Sequence, residues 1–420
     1  MTYPLASPSR LVPRMDVWTI GAFCLAVLAL LIYSQGWLTL LTGGNVGDTS
    51  KSGLIRNMFL PAYACGIVLL SMTPGATLAA LARQPFLILL MVIVAVSLIW
   101  SAAPDQTMRR IVALYATTLT GVVLASRYSW PVLAEVMAAT FLILGICCLL
   151  LIFGLPGIGK MTELFPGAWR GVWPEKNALG GNMALGFGLC AAAALLNPRR
   201  AWLWWGSAGL CLLLVLGSTS KTSLISFMLG AMTLGFVWLV RRGPASGVMA
   251  TFAAVVGAMG IAAFLLFASD IFLGLLGKDA TLTGRTKIWA AVYHQIQLRP
   301  WTGYGYGATW DNETGRGALA WITKEAGFRA RHAHNSWLEQ WLALGYSGLA
   351  AWALFWAQTF GTAVIAAFRH KGAYLALPFL AVYTLTTLTE SIAVVWNDLR
   401  WVIFVAIAVK LAWPDREARR

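Results

Sequence analysis

The sequence predicts an all-α, polytopic membrane protein of about twelve transmembrane helices, interrupted by one large polar loop. Three observations carry this. The 420 residues are 59% apolar and only 11% charged, with a mean hydropathy of +0.72, whereas a soluble domain holds about 25% charged residues. Windows of roughly 20 apolar residues recur along the chain, each long enough to cross a hydrocarbon core of about 30 Å as a helix. These windows lack the alternation of barrel strands, and lipid obliges each segment to satisfy its own backbone, so helices follow.

In order, Arg10 and Arg14 precede an apolar run from Val17 to about Leu41. That run is too long for the core of a cleaved signal peptide and reads as a first, uncleaved helix. Further spans are expected near 58–73, 85–101, 111–126, 131–154, 177–196, 201–217, 222–240, 247–270, 346–367, 373–394 and 396–413. The second and fourth are short enough to tilt or re-enter. The chain thus divides into an N-terminal bundle (1–270), the polar loop (271–345) and a C-terminal set of helices with a tail (346–420). The six cysteines all fall inside apolar spans without metal-ligand spacing, so they are read as packing residues.

The net charge of +15 is read first as topology, because short cytoplasmic loops collect Lys and Arg; it is not read as a nucleic-acid surface. With the N-terminus inside, the inner loops receive Arg83, Arg127, Arg199–Arg200, Arg241–Arg242, Arg369 with Lys371, and the tail with Arg416, Arg419 and Arg420. The long loop is then outside. Yet Arg109–Arg110, Lys160, Arg170, Lys176 and Lys221 remain at or near outer helix ends, against the rule. Cations held there point to an anionic ligand on the outer face, and a phosphate is the simplest, since arginine offers it a bidentate fork.

The loop itself carries eight cations and five anions, and three of the chain's four histidines, His294, His332 and His334. Connections this long in a compact protein tend to be functional. Arg285 opens an amphipathic helix whose stripe is Ile288, Val292 and Ile296. A cation there opposes the helix dipole, so either it shares an anion with the exposed N–H groups or it is an ordinary solvated arginine. The run Pro300–Gly307 offers aromatic rings between glycines, for a sugar face or for an interfacial belt. Ser336 to Glu339 reads as a capping box, giving Glu339 a structural role. His334 lies just before that helix, with arginines close behind it, including Arg331. A positive surround favours its neutral, proton-accepting form, so His334 is either a general base or a satisfied cap histidine. His332 and His334 alone lack a third ligand, so no metal is expected.

Two decoys are set aside. Gly154–Lys160 mimics a phosphate-binding loop, but Met161 stands where Ser or Thr is needed; no cofactor is expected. Asp311–Asn312–Glu313 is too sparse a pair to hold a metal for a nucleotide sugar. Glu390, expected late in the eleventh span near Asn397, Asp398 and Arg400, is either functional or one half of a structural ion pair.

Taken together, Trp169–Arg170–Gly171–Val172–Trp173, Lys176–Asn177–Ala178–Leu179–Gly180 and Ser218–Thr219–Ser220–Lys221–Thr222 resemble the first half of the O-antigen ligase and polymerase superfamily signature. Gly284 to Trp289, Pro300 to Gly307 and His334–Asn335–Ser336–Trp337–Leu338 resemble the second. Lys176 to Gly180 and Thr389–Glu390–Ser391 are most similar to exopolysaccharide polymerases of the ExoQ type. The resemblance implies a GT-C-like bacterial inner-membrane protein with its active site facing the periplasm. It implies metal-independent, inverting transfer of glycan from an undecaprenyl-pyrophosphate-linked oligosaccharide. By matching motif, Arg170 and Arg285 would bind the pyrophosphate and His334 would activate or position the acceptor hydroxyl. Arg109 or Arg110 matches a further basic position, and Lys176 and Lys221 accompany them. His332, Arg331, Asn335 and Glu390 are secondary candidates. Membrane lipid and a chain-length-regulating copolymerase are the partners this reading allows. Polymerisation, ligation to lipid A core or protein, and transport of a lipid-linked sugar remain the three competing functions.

Overall fold

The computed structural model describes residues 17–42, 52–162, 165–267, 284–310, 317–413 and 415. Arg10, Arg14, the tail arginines, the start of the polar loop with Lys278, and Asp311–Asn312–Glu313 with Arg316 lie outside them. The described residues are helical almost throughout, with no strand and one isolated bridge, Lys160 to Trp169.

The principal helices are α1 (Val17–Tyr33), α2 (Leu60–Met72), α3 (Pro74–Leu81), α4 (Pro85–Val96), α5 (Pro104–Arg127), α6 (Trp130–Gly154), α7 (Lys176–Leu196) and α8 (Ala201–Gly217). They continue as α9 (Lys221–Val240), α10 (Pro244–Phe267), α11 (Arg285–Leu298), α12 (Ala318–Ala326), α13 (Ser336–Arg369), α14 (Ala373–Thr387) and α15 (Leu399–Ala412). Among the described residues, seven are long and apolar enough to cross a membrane: α2 with the short helix Ser52–Asn57 before it, α5, α6, α7, α8, α9 and α13. The pair α3 and α4, bent by 90°, makes at most an eighth. Twelve full spans are therefore not what the described helices supply. The two expected C-terminal spans explain part of the gap. α14 stops at Thr387, and α15 is only 14 residues, about 21 Å at 1.5 Å per residue. From Trp401 to Lys410 α15 is buried, packed mainly on α5. A helix sheathed by protein need not match the bilayer.

α7 sits at the centre of the bundle, packed on α6, α8, α9 and α14. Its sequence is dominated by glycine and alanine, which let helix axes approach where lipid provides no hydrophobic drive for association. At Gly180 a Cβ would run into the hydroxyls of Ser218 and Ser223. That close approach brings the starts of α7 and α9 together, and Ser220 Oγ donates to Asn177 Oδ1 at 2.8 Å.

The polar loop is a folded cap with its own core. Ile288, Val292 and Ile296 of α11, the expected stripe, close over Ala318 and Ile322 of α12, with Ala330, Ala333 and Leu342 beneath. It is locked to the bundle at a break in α13, where Gly345 adopts φ 67° and ψ −163°. Residues 300–307 pass through that break. Tyr346 N–H donates to Pro300 O (2.8 Å), Tyr304 N–H to Leu342 O (3.0 Å) and Gly305 N–H to Ala343 O (2.9 Å). The aromatic–glycine run therefore corrects its expected role: Tyr304 and Tyr306 are buried in the clasp, and Trp301 is the exposed ring. At Gly303 of the run, and at Gly345 of α13, an added Cβ would strike the other backbone, while Gly305 and Gly307 lie against Ser101 and Arg110.

Gly345→Ala should force a side chain into a backbone region open essentially to glycine, costing about 1–3 kcal/mol before the clash with Trp301 is counted. We expect the thermal midpoint of the purified protein to fall by several degrees, while Gly361→Ala, where an added Cβ meets open space, leaves it unchanged or raised.

Candidate active site

The centre of the site is an irregular segment, residues 388–398, between α14 and α15. Glu390 is thus not late in a helical span, as its position suggested, but in non-helical backbone. Glu390 N–H still donates to Thr386 O at the end of α14 (2.8 Å), but beyond it the backbone groups need partners from elsewhere. Ser336 Oγ donates to Glu390 O (2.8 Å) and accepts from Ile392 N–H (2.9 Å) and Ala393 N–H (3.2 Å). Gln340 Nε2 donates to Ala393 O (3.0 Å), and Tyr306 Oη to Val394 O (2.7 Å). Asn397 N–H donates to Thr117 Oγ1 (3.0 Å), and Asn397 Oδ1 accepts from Tyr63 Oη (2.6 Å).

The start of α13 faces this segment. Its N-cap is Asn335, whose Oδ1 accepts from Trp337 N–H (2.9 Å) and Leu338 N–H (3.1 Å). The capping box expected at Ser336 does not form, since the Ser336 hydroxyl is engaged by the 390s backbone. Glu339 keeps a structural role by another route: it accepts from Trp310 Nε1, from Ala333 N–H (3.0 Å) and from Ser391 Oγ (3.1 Å). These contacts fix the turn that presents His334, which sits in the left-handed region at φ 50°. A non-glycine residue held there is strained backbone of the kind that collects at functional sites.

Glu390 then joins two residues from distant parts of the chain. Its Oε1 lies 2.8 Å from an Arg285 terminal nitrogen, and its Oε2 lies 3.1 Å from His334 Nδ1. All three side chains are partly open, at 20%, 32% and 34% exposure for Arg285, His334 and Glu390. Burial alone would push the Glu390 carboxyl up, but the His334 hydrogen bond and the Arg285 charge hold it below the usual carboxylate range. A carboxylate acceptor at Nδ1 keeps the proton on that nitrogen and leaves Nε2 of His334 free to accept another. His332 packs beside it, ring centroids 3.9 Å apart, and its Nδ1 accepts the His334 N–H at 3.3 Å. Burial, then the His334 charge, lower His332 to about 4.

His332, His334 and Glu390 each present a ligand atom within 4.8 Å of the others, a spacing that suits a metal ion. Glu390 is the third ligand that the sequence did not reveal. Its two oxygens, however, already serve Arg285 and His334, and the arginine's charge opposes a cation at the same point. The donor set fits a hydrogen-bonded triad better than a metal site.

The other expected residues divide. Asn335 caps α13, and its Nδ2 also donates to Leu388 O (3.4 Å); Arg331 is exposed. Asp398, not Glu390, pairs with Arg400, at 2.5 Å. Of the Arg109–Arg110 doublet, Arg109 is exposed, while Arg110 donates to Gly307 O and lies over the Trp396 ring at 4.6 Å. Arg110 is therefore a clamp on the cap. Arg170 is not joined to the triad: its Nε donates to Ile158 O (2.7 Å) and a terminal nitrogen to Gly157 O (3.1 Å). The glycine-rich decoy thus aims carbonyls at a guanidinium, the opposite of a phosphate cradle. Lys176 stands over the Phe165 ring at 3.6 Å, and Lys221 begins α9. α9 runs beside α14, and its last residue, Val240, with Arg241 just after it, lines a cavity shared with Phe368 and Arg369, just before α14 begins, so the two helices run in opposite directions. The starts of α7 and α9 accordingly lie at the same end of the bundle as Glu390.

A multi-helix membrane bundle with a folded cap and a His–Glu–Arg triad at one end is thus the class of protein. Residues 206–353 match the family model described as O-antigen ligase. The match includes Arg285 and His334. Over 266 residues, 60% of this chain, the sequence is 29% identical to the exopolysaccharide production protein ExoQ of Rhizobium meliloti (strain 1021). The match spans 59% of that protein's length.

Because the folded state keeps His332 neutral down to about 4 while an unfolded chain protonates it from about 6.5, the unfolded state binds more protons between these values. Stability should fall as pH drops from 6.5 towards 4. In His332→Gln that part of the pH dependence of the thermal midpoint should disappear, with the slope above pH 7 unchanged.

Proposed function

We propose that this protein is a glycosyltransferase that polymerises lipid-linked repeat units, taking glycan from a polyprenyl-diphosphate donor. The observation that carries the proposal is the joining of His334 and Arg285 by Glu390. In this reading His334 Nε2 takes the proton of the acceptor hydroxyl. The donors of Arg285 not used by Glu390 meet the charge that develops on the diphosphate as the C1–O bond breaks. Glu390 positions both and steadies the imidazolium. Both its oxygens are occupied, so it is poorly placed as a nucleophile, and a single displacement with inversion follows without a metal. Arg170, Lys176 and Lys221, at the same end of the bundle, would hold the diphosphate or the glycan behind it. The doublets Arg199–Arg200 and Arg241–Arg242 follow α7 and α9, at the other end, which supports a periplasmic site in the bacterial inner membrane.

The O-antigen ligase description supports ligation as the second reading, in which the acceptor is another lipid or a protein. Transport is less favoured, since transporters bind near the bilayer midplane and these groups gather at one end. Purified protein with lipid-linked repeat alone should extend the chain. Transfer only after a different acceptor is added would make the protein a ligase, and no transfer in either case would overturn an enzymatic role. Chelators should leave the rate unchanged; a requirement for added divalent metal would overturn the metal-independent mechanism.

His334→Ala and Arg285→Ala should each abolish product while membrane levels stay normal, and full activity from either would remove its assigned role. Glu390→Gln keeps the shape but loses the charge, so Nδ1 no longer has a carboxylate to donate to. A loss of about 10²–10⁴-fold in rate is expected, the range for a general base deprived of its correct protonation state.

A further inference from the structure

At the end of the bundle opposite the triad, helix ends enclose a cavity of about 720 Å³ that neither the mechanism nor the family assignment uses. Arg127 closes α5, Trp130 opens α6, His370 and Lys371 precede α14, and Lys410 lies near the end of α15. Asp415 is the only acid among the described lining residues.

We infer that this cavity is a binding site for a phosphate group. Four observations support it. The lining is cationic, with Arg127, Lys371 and Lys410 against one carboxylate. The pocket already holds an anion of its own: Asp415 Oδ1 lies 2.5 Å from Lys410 Nζ, and Asp415 Oδ2 accepts the Trp130 N–H at the start of α6 at 3.0 Å. Lys410 is 3% exposed, and an ammonium so buried needs an anionic partner. Finally, Arg127 Nε and His370 Nδ1 are buried polar atoms with no hydrogen-bond partner among the described residues. An unmet buried group of this kind is destabilising, and oxygen atoms of a ligand would offset that cost. The remaining space exceeds what a carboxylate needs and accommodates a tetrahedral phosphate with substituents.

The ligand chemistry is a phosphate monoester or diester, supplied either by an anionic lipid headgroup or by a soluble phosphate compound. α14 runs from this pocket to the segment bearing Glu390, and α15 returns from that segment to Lys410.

The test uses full-length protein. Native mass spectrometry after reconstitution with equal phosphatidylglycerol and phosphatidylcholine reads lipid retention, and thermal shift with inorganic phosphate reads the soluble source. Wild type should retain phosphatidylglycerol selectively, or be stabilised by millimolar phosphate, and the arm that responds identifies the source. Lys371→Gln, an exposed position, should weaken that response by about tenfold. Asp415→Asn removes the competing carboxylate and should strengthen it. A misfolded variant cannot produce a gain in one and a loss in the other. Equal responses from wild type, Lys371→Gln and Asp415→Asn in both arms would overturn the proposal.

Discussion

The structure turns on a stretch of buried backbone that is not a helix. Inside a membrane bundle a peptide group without a partner is heavily penalised, and irregular chain persists only where protein supplies the missing bonds. Residues 388–398 meet that condition through Ser336, Gln340, Tyr306 and Thr117, which come from three separate regions. Much of the surrounding fold serves this end. Tyr306 reaches Val394 only because the 300–307 run threads the break at Gly345. Ser336 is available because Asn335, one residue earlier, caps the helix. The clasp and the cap are thus conditions for the site, not additions to it.

On that frame one carboxylate organises two side chains. Glu390 lies between an imidazole and a guanidinium, so its charge sets the tautomer of the first and the direction of the second. A partly exposed ion pair would contribute little to stability, and here the benefit is geometric. The strained backbone at His334 is tolerable for the same reason: Glu339 holds the neighbouring Ala333 N–H from below, so the unusual dihedral is fixed by contacts on both sides. The neutral His332 packed against the ring leaves no second positive charge to compete for the same carboxylate.

What the sequence disclosed follows from the range of each interaction. Helical class and the amphipathic stripe of α11 are local periodicities, and the structure reproduces both. Arg285 was marked by an awkward position at a helix start, and His334 by its setting among arginines. Their common partner was not legible: Glu390 is 105 residues from Arg285 and 56 from His334, and nothing local encodes that pairing. Hydropathy also extended the last two spans through the 390s, because that segment is apolar enough to resemble a helix. Its failure to be one depends on hydroxyls and amides from elsewhere. The aromatic–glycine run was misjudged for a related reason, since glycines required by a backbone crossing look the same as glycines in an open loop.

At the end of the bundle that holds Glu390, charge and helix direction combine. Lys176, Lys221 and Arg285 are the first residues of α7, α9 and α11, and Arg400 is the second of α15. A cation at a helix start opposes the macrodipole by about 0.3–1 kcal/mol, so four such placements work against folding. Two are compensated within the protein, Arg285 by Glu390 and Arg400 by Asp398. Lys176 leans on the Phe165 ring. Positive side chains and positive helix ends directed at one region form an electrostatic field that a diphosphate, with its paired negative charges, would complete. On the function proposed above, that field is what an anionic leaving group would meet at this end of the molecule.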